Sequence, residues 1–157
     1  MIAVLQRAAA ASVTVDKRTV GKIGRGLLIL LGVANEDERE DAELLCRKIL
    51  ACRIFTDEND KMNLSVRDVG GEVLVVSNFT LLANCRRGNR PDFMAAAAPG
   101  KAKELYHYFA SLVESELGGV ATGEFGADMC VSLTGDGPVT IVMDSNELKK
   151  TKKESRA

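Results

Sequence analysis

Alternating and β-branched apolar positions predict that much of this chain is built of strands. The run Leu27–Val33 is apolar on both faces, which indicates a central strand buried on both sides. Glu72–Ser77 predicts the next buried strand along the chain. The shorter predicted strands lie at Ile2–Leu5, Ser12–Val15, Val20–Ile23 and Ile54–Phe55, and near 120–125, 129–134 and 138–143.

Helical spacing of apolar residues predicts two longer helices. The first follows Asn35 or Asp37, either of which can cap its N-terminus, and its opening turn is acidic. The second runs from about Gly100 to Leu117 and ends at the step Gly118-Gly119. Many strands with only two long helices indicate an α/β fold in which helices cover one side of the sheets.

Length and charge limit the organisation and the partners of the chain. A chain of 157 residues predicts one domain. Its formal net charge of −1 gives no overall field that attracts nucleic acid, so any RNA contact must come from a local basic patch. Gln6 and Arg7 interrupt the first apolar run, and the longest run, Leu27 to Ala34, is far too short for a membrane span. We therefore expect a cytoplasmic protein without a membrane partner.

The ionisable residues exclude several catalytic systems. The 4 cysteines show no CxxC spacing and have no histidine nearby, which predicts reduced thiols and no zinc site. The single histidine, His107, shares a helix face with Lys103, Ser111 and Glu114 and is predicted to be solvated. A Ser-His-Asp or Cys-His system therefore lacks a base, and HExxH, P-loop and GxGxxG patterns are absent. The sequence predicts no cofactor and no metal.

Two polar segments that follow apolar strand runs carry the most specific signal in the chain. They are Ser77-Asn78-Phe79-Thr80-Leu81 and Gly135-Asp136-Gly137-Pro138-Val139-Thr140. They resemble the signature motifs of the D-aminoacyl-tRNA deacylase family, and the resemblance runs from Met1 to about Ser145. It includes five further segments, Ile2–Arg7, Ala11–Val15, Lys61–Leu64, Arg87–Pro91 and Ala121–Met129. Two positions depart from the family pattern, which usually has Gln in place of Asn78 and Asn in place of Gly135.

The resemblance implies an activity, a fold and a domain organisation. Members of the family hydrolyse the ester between tRNA and a D-amino acid or glycine, so the aminoacylated end of tRNA is the expected partner. The implied fold is a three-layer α/β/β arrangement with mixed, largely antiparallel sheets and two main helices, assembled as a homodimer. We expect a single deacylase domain at 1–145, followed by a basic tail at 146–157 that is disordered because it is rich in charge.

An aminoacyl ester is activated, so the enzyme needs to orient it, place a water and supply N–H donors for the developing oxyanion. The resemblance assigns this catalytic role to Ser77, Phe79 and Thr80. We expect Thr80 to act through its backbone N–H and by positioning water, because no base lies beside it in the sequence. Spacing alone leaves another interpretation open, in which Ser77 and Thr80 are ordinary hydroxyl residues at a strand end.

The resemblance assigns substrate binding to Asn78, to Arg7 and to the step Gly137-Pro138. In the family this step is a cis-proline motif that reaches into the active site of the other subunit and excludes an L side chain by clash. Arg7 matches the family arginine that braces the motif. Without the resemblance, Gly137-Pro138 indicates a turn and Arg7 a surface arginine.

Two questions remain open in the sequence. Arg86, Arg87 and Arg90 either steer the acceptor end of tRNA through phosphate contacts or form a solvated basic loop. The main alternative function is a non-catalytic nucleic-acid-associated module on the same fold, since some relatives are linked to DNA replication. The departures at Asn78 and Gly135 raise a third option, a deacylase whose preference is shifted towards glycine or other mischarged tRNAs.

Overall fold

The computed structural model describes residues 1–150, and residues 151–157, the end of the predicted tail, lie outside it. In chain order, the elements are β1 (Ile2–Val15), β2 (Arg18–Ile23), β3 (Gly26–Gly32), α1 (Arg39–Leu50), β4 (Phe55–Thr56), β5 (Met62–Leu64), β6 (Glu72–Ser77), a 3-10 turn (Phe79–Leu82), α2 (Pro99–Leu117), β7 (Ala121–Thr122), β8 (Cys130–Asp144) and α3 (Ser145–Lys149). Within residues 1–150, none of the helices is long and apolar enough to cross a lipid bilayer.

One mixed sheet is organised around the long strand β1. Its strand order is β2-β1-β3-β6-β7, and β8 also pairs with β1. β1 is antiparallel to β2, β3 and β8, whereas the pairs β3–β6 and β6–β7 are parallel. The short strands β4 and β5 form a separate hairpin. The predicted α/β class with largely antiparallel pairing is therefore confirmed.

Two pairs of predicted strands prove to be single long strands, so the breaks predicted between them are wrong. Ile2–Leu5 and Ser12–Val15 both belong to β1, because the alanine-rich segment between them stays extended. The runs near 129–134 and 138–143 both belong to β8. The Gly-Pro step between these two runs resembles a turn in the sequence, but the strand accommodates it as an irregularity in its pairing with β1.

The middle strands β3 and β6 are buried on both faces, which produces the expected three layers. On one face, side chains such as Leu27 pack against α1 and α2, where Leu45 and Phe109 are fully buried. On the other face, β2 and the second half of β1 fold over β3 and β6, and a second core lies between them. Gly21 permits this close approach, because a Cβ there would lie 2.3 Å from the carbonyl oxygen of Thr122.

The N-terminus of α1 differs from the prediction. Asn35 or Asp37 was expected to cap the helix, but Glu38 occupies that position, and its backbone N–H donates to the Asp41 carboxylate at 2.9 Å. Asp37 is almost fully buried, and its carboxylate accepts a hydrogen bond from the backbone N–H of Ala34 at 2.6 Å. Asp37 therefore organises the turn after β3 rather than the first turn of the helix.

The beginning of the predicted tail is helical, which corrects the expectation of disorder for residues 146–149. These residues belong to α3, and the Asp144 side chain caps the helix by accepting a backbone N–H of its first turn. The Lys149 ammonium lies 2.6 Å from the Asp41 carboxylate on α1. The fully buried Ser145 hydroxyl donates to the same carboxylate at 2.6 Å. A charge-rich composition does not reveal such a buried partner, so the sequence alone missed the helix.

We expect Lys149→Met to destabilise the fold, because it leaves the buried Asp41 carboxylate without its cation. Burial raises the pKa of Asp41, but hydrogen bonds from Lys149, Ser145 and the Glu38 backbone outweigh burial and hold the pKa at about 2, below the ordinary 3.8. Because the pKa is lowered on folding, the carboxylate stabilises the fold above about pH 4, and this contribution is lost as the pH falls towards 2.

Urea unfolding near pH 7 and near pH 2 measures this effect. The loss of stability in Lys149→Met should be about 2 kcal/mol near pH 7 and much smaller near pH 2. Lys48→Met is the matched control, because it removes an exposed lysine from α1. A loss of equal size at both pH values, or in both variants, would contradict the assignment.

Candidate active site

The first polar segment forms a tight turn at the end of the buried strand β6. The backbone N–H of Asn78 extends the pairing by donating to the carbonyl of Leu31 on β3 at 2.8 Å. The 3-10 turn Phe79–Leu82 follows at once. Gly32 lets this turn pack against β3, because a Cβ there would lie 2.6 Å from a leucine side chain of the turn. The strand therefore presents Ser77 and the start of the turn at one end of the sheet.

A pocket of about 630 Å³ opens at this end of the sheet. Small-molecule sites typically have volumes of roughly 300–1,000 Å³. Ser77, Asn78 and Phe79 line one side, and the rest is lined by residues from the segments 93–99 and 125–129 together with Val33 and Ala102. The structure thus brings three of the predicted site residues into one cavity with a largely apolar wall.

The polar groups of the turn are arranged around Asn78. The hydroxyl of Thr80 donates to the side-chain oxygen of Asn78, which fixes the orientation of both groups. Thr80 is exposed and does not line the pocket. The first hydrogen bond within the turn runs from the N–H of Leu81 to the carbonyl of Asn78. The preceding N–H groups, those of Phe79 and Thr80, therefore have no partner within the turn.

An aromatic pair stands at the mouth of the pocket. The rings of Phe79 and Phe93 meet edge to face, with centroids 5.0 Å apart and planes at 73°. Phe79 remains 55% exposed, whereas most large apolar side chains of the chain are buried. The pair gives the pocket a firm apolar edge beside the free N–H groups of the turn.

Backbone pairing with the turn after β3 fixes the opposite wall of the pocket. The N–H of Asn35 donates to the carbonyl of Ala95 at 3.0 Å, and the N–H of Ala97 donates to the carbonyl of Val33 at 2.9 Å. The side-chain amide of Asn35 donates to the carbonyl of Met94 at 2.7 Å. Sequence reasoning missed this wall, because an alanine-rich segment carries no chemical signal and indicates only local packing.

Tyr106 on α2 supports the pocket from the core side. Its buried hydroxyl donates to the carbonyl of Val75 at 2.9 Å, two residues before Ser77 on β6. Its ring centroid lies 5.8 Å from that of Phe125, which lines the pocket. Burial raises the pKa of Tyr106 to about 12, so the hydroxyl remains a hydrogen-bond donor at any physiological pH. The residue positions two pocket walls and does not reach the cavity.

The second polar segment bulges out of β8. Regular pairing with β1 stops on both sides of the bulge, at the pairs Gln6–Thr140 and Ala8–Gly135. The bond between Gly137 and Pro138 is cis, as the resemblance implies. Gly137 has φ of 141°, and a Cβ there would lie 2.4 Å from the backbone nitrogen of Val139, so a side chain does not fit.

Arg7 braces this bulge from β1. Its Nε donates to the carbonyl of Asp136 at 3.1 Å and lies 3.2 Å from the carboxylate of the same residue. Its Nη1 donates to the carbonyl of Ile54 at 2.8 Å, and the side chain is only 11% exposed. Arg7 therefore ties the bulge to the segment before β4. This is the bracing role that the resemblance implies for Arg7.

The two motifs do not meet within one chain. Gly137 and Pro138 are exposed, and neither lines the pocket beside Ser77. The strand that carries them also exposes apolar side chains, at Val131 and Val142 among others. Within the described residues, the first motif therefore lines a pocket, whereas the second motif, with Gly137 and Pro138, faces outward.

Few ionisable groups are available for chemistry in this pocket. Asp128 is the one ionisable residue in its lining, and His107 lies exposed on α2. Among residues 1–150, no group of three or more His, Cys, Asp and Glu side chains is placed to hold a metal ion. The arrangement can polarise a carbonyl with backbone N–H groups and orient a water with hydroxyl and amide groups.

Comparison with known proteins places this geometry in a family. The family model described as D-Tyr-tRNA(Tyr) deacylase matches residues 4–144. Proteins named D-aminoacyl-tRNA deacylase from Haemophilus influenzae and Clostridioides difficile are 56% and 52% identical over 140 and 147 residues. The two alignments cover 89% and 94% of this chain, and 96% and 99% of the relatives.

Two solved structures share the fold. A protein titled c-Myc DNA Unwinding Element Binding Protein superposes with a TM-score of 0.87 at 41% identity, over 92% of this chain and 98% of that one. A probable eukaryotic D-amino acid tRNA deacylase superposes with a TM-score of 0.80 at 17% identity, over 90% of this chain and 97% of the other, which bears on the fold alone. The family match and the near full-length identity agree, and the chain therefore belongs to the D-Tyr-tRNA(Tyr) deacylase family.

Proposed function

We propose that this protein is an ester hydrolase that acts on D-aminoacyl-tRNA and releases the free D-amino acid and tRNA. One observation carries the proposal, namely that Ser77, Asn78 and Phe79 line a single pocket at the end of β6, in a chain of this family. Such an enzyme removes D-amino acids from tRNA before they enter translation. Its place of action is therefore where charged tRNA is used, in the cytoplasm.

The reaction requires a water, an orienting group and donors for the oxyanion. In this proposal the ester carbonyl lies beside the turn, and the backbone N–H groups of Phe79 and Thr80 stabilise the negative charge that develops on its oxygen. Water adds to the carbonyl carbon, the bond to the ribose oxygen breaks, and the proton passes to that oxygen. Ser77 and Asn78 orient the substrate, while the neighbouring hydroxyl of the terminal ribose assists the proton transfer.

Selection against L-amino acids requires a second copy of the chain. The step Gly137-Pro138 faces outward and does not line its own pocket, which supports its insertion into the pocket of a partner subunit in a homodimer. The exposed apolar side chains of Val131, Leu133 and Val142 on β8 give this face the character of a contact surface. Backbone carbonyls at the step would then clash with an L side chain but accept glycine, which has none.

The local contacts of the two positions that depart from the family pattern are compatible with this arrangement. Gly135 has open space around it, since the nearest atom to a Cβ there is a side-chain carbon of Leu133 at 4.0 Å. The shorter amide of Asn78 still reaches the hydroxyl of Thr80. The proposed hydrolysis of glycyl-tRNA mischarged on tRNA(Ala) rests on the absent side chain of glycine and not on either departure.

Deacylation of D-tyrosyl-, L-tyrosyl- and glycyl-tRNA by sub-stoichiometric enzyme tests the proposal. We expect many turnovers with the D-tyrosyl and glycyl substrates and almost none with L-tyrosyl-tRNA, because only the last has a side chain on the excluded side. Sedimentation of the same sample should show a dimer. A protein that binds the charged tRNAs and protects them from spontaneous hydrolysis is instead the non-catalytic nucleic-acid-associated module.

A further inference from the structure

A loop rich in arginine leads directly into the wall of the pocket. We call residues 84–92 the arginine loop. Its base is closed by two backbone hydrogen bonds between Asn84 and Asp92, at 2.9 and 3.0 Å. The 3-10 turn of the site lies just before the loop, and Phe93 of the pocket wall follows it. The loop is therefore held at a fixed place beside the pocket, although its own residues 84–91 are exposed.

The arginines of this loop are free, unlike most others in the described part of the chain. Arg86, Arg87 and Arg90 make no side-chain hydrogen bond or ion pair within residues 1–150. Elsewhere, guanidinium groups engage carbonyls, carboxylates or aromatic rings, at Arg7, Arg25, Arg39, Arg53 and Arg67. The single acidic residue of the loop, Asp92, accepts a hydrogen bond from the backbone N–H of Met94 and forms no ion pair with the three arginines. The loop therefore has a net charge of +2 and three guanidinium groups that no carboxylate within the described residues pairs with.

This concentration of charge is a local feature rather than a property of the whole surface. The chain as a whole has a formal net charge of −1, so it does not attract nucleic acid in general. Solubility alone would be served equally well by lysine or by acidic residues. All the cations of this loop are instead arginines. Arginine is the side chain that best matches phosphate, because its planar fork donates two parallel hydrogen bonds.

A cleft lies at the base of the loop, with Arg86 in its lining. The cleft has a volume of about 650 Å³ and is open to solvent along its length. Its lining includes Leu81, Leu82, Arg86 and Ala95. The pocket is lined by Phe79 and by residues from 93 onward, so the same two segments of chain border both spaces. The cleft therefore lies next to the pocket along these two segments, on the side where the arginine loop begins.

We infer that the arginine loop binds the phosphates of the single-stranded nucleotides that precede the terminal adenosine of tRNA. The inference rests on the proposed function, since it is the aminoacyl ester in the pocket that places these nucleotides beside the loop. Phosphate contacts of this kind position a nucleic acid without reading its bases. The loop therefore raises affinity for every charged tRNA alike and takes no part in the chemical step.

The test compares two substrates and two matched variants. One variant carries Arg86→Gln, Arg87→Gln and Arg90→Gln. The control removes three exposed cations from the β1–β2 hairpin and its turn, as Lys17→Gln, Arg18→Gln and Lys22→Gln, so that both variants change net charge equally. The substrates are D-tyrosyl-tRNA and 3′-D-tyrosyl-adenosine, which keeps the ester but has no phosphate.

We expect the arginine-loop variant to raise KM for D-tyrosyl-tRNA by on the order of tenfold near physiological salt, with kcat unchanged. The slope of log KM against log salt should fall by about 2, because each lost contact to a single-stranded phosphate removes about 0.7. Neither variant should alter kinetics with 3′-D-tyrosyl-adenosine. The control variant should keep the salt slope of the unmodified protein.

Three results would overturn the inference. One is an unchanged salt slope in the arginine-loop variant. The second is an equal loss with 3′-D-tyrosyl-adenosine, which would mean that the loop shapes the pocket. The third is an equal loss in the control, which would mean that net charge alone matters. Equilibrium binding of tRNA carrying a non-hydrolysable D-tyrosyl amide, measured on the same variants, tests the loop even if the protein proves not to be a hydrolase.

Discussion

Thr80→Ala should lower the deacylation rate by less than about 100-fold, whereas removal of a true serine nucleophile costs roughly 10⁶-fold. Thr80 is exposed, lies outside the pocket lining and has its hydroxyl engaged by Asn78. His107, the one histidine of the chain, is exposed on α2 and does not line the pocket, so no histidine base is placed to activate the hydroxyl. The backbone N–H of residue 80, which we expect to face the oxyanion, is unaffected by the substitution.

Replacing the 2′-hydroxyl of the terminal ribose with hydrogen should cost more than Thr80→Ala, in the range of roughly 10²–10⁴-fold expected for a lost proton-transfer group. Single-turnover deacylation with unmodified and 2′-deoxy substrate, on both enzyme forms, compares the two changes directly. Binding of the non-hydrolysable amide analogue serves as the control for affinity. A trapped acyl-Thr80 intermediate, or complete inactivity of Thr80→Ala with normal binding, would assign the chemistry to the threonine.

The sequence predicts strand burial and helix ends correctly when a local pattern determines them. Leu27–Val33 is apolar on both faces, and the structure buries β3 between two cores. The end of α2 was predicted from Gly118-Gly119, and Gly118 adopts the left-handed conformation with φ of 79°. In both cases, the residues that decide the structure lie next to each other in the chain.

Features that depend on distant partners could not be predicted in this way. Asp37 follows a strand and precedes a helix, which favours a cap, yet its carboxylate binds the Met1 ammonium, 36 positions earlier, as well as the nearby backbone N–H of Ala34. The tail residue Lys149 looks like part of a solvated charge run, but it pairs with Asp41, more than a hundred positions earlier. Local sequence carries no record of such a partner, so the local preference was overridden.

The same distinction applies to the candidate site. The first motif is contiguous, and the structure gathers Ser77, Asn78 and Phe79 in one pocket as the sequence implies. The opposite wall comes from an alanine-rich segment and from Phe125, which have no chemistry of their own and gain a role only through packing. Arg7 is an intermediate case. Its residue type carries no signal of its own, but the resemblance to the family linked it to a motif 129 positions away.

Arg7→Ala should lower the selectivity for D- over L-tyrosyl-tRNA by at least about tenfold, as a ratio of kcat/KM values. The substitution removes the hydrogen bonds to the carbonyls of Asp136 and Ile54 and leaves the bulge at residues 136–139 without its brace. Charge-assisted hydrogen bonds of this kind contribute about 1.5–3 kcal/mol each. We expect hydrolysis of the D substrate to fall and that of the L substrate to rise, because a looser bulge clashes less with an L side chain.

Two further variants separate the brace from the charge. Arg7→Lys keeps the positive charge but cannot reach two carbonyls with one planar fork, so it should resemble Arg7→Ala. Asp136→Asn removes the ionic contact at 3.2 Å and keeps the backbone carbonyl, so it should retain most of the selectivity. Urea midpoints and sedimentation check that all three variants keep the fold and the association state of the unmodified protein. Unchanged selectivity in such an Arg7→Ala variant would show that Arg7 stabilises the fold without shaping the side of the pocket that we propose excludes L side chains.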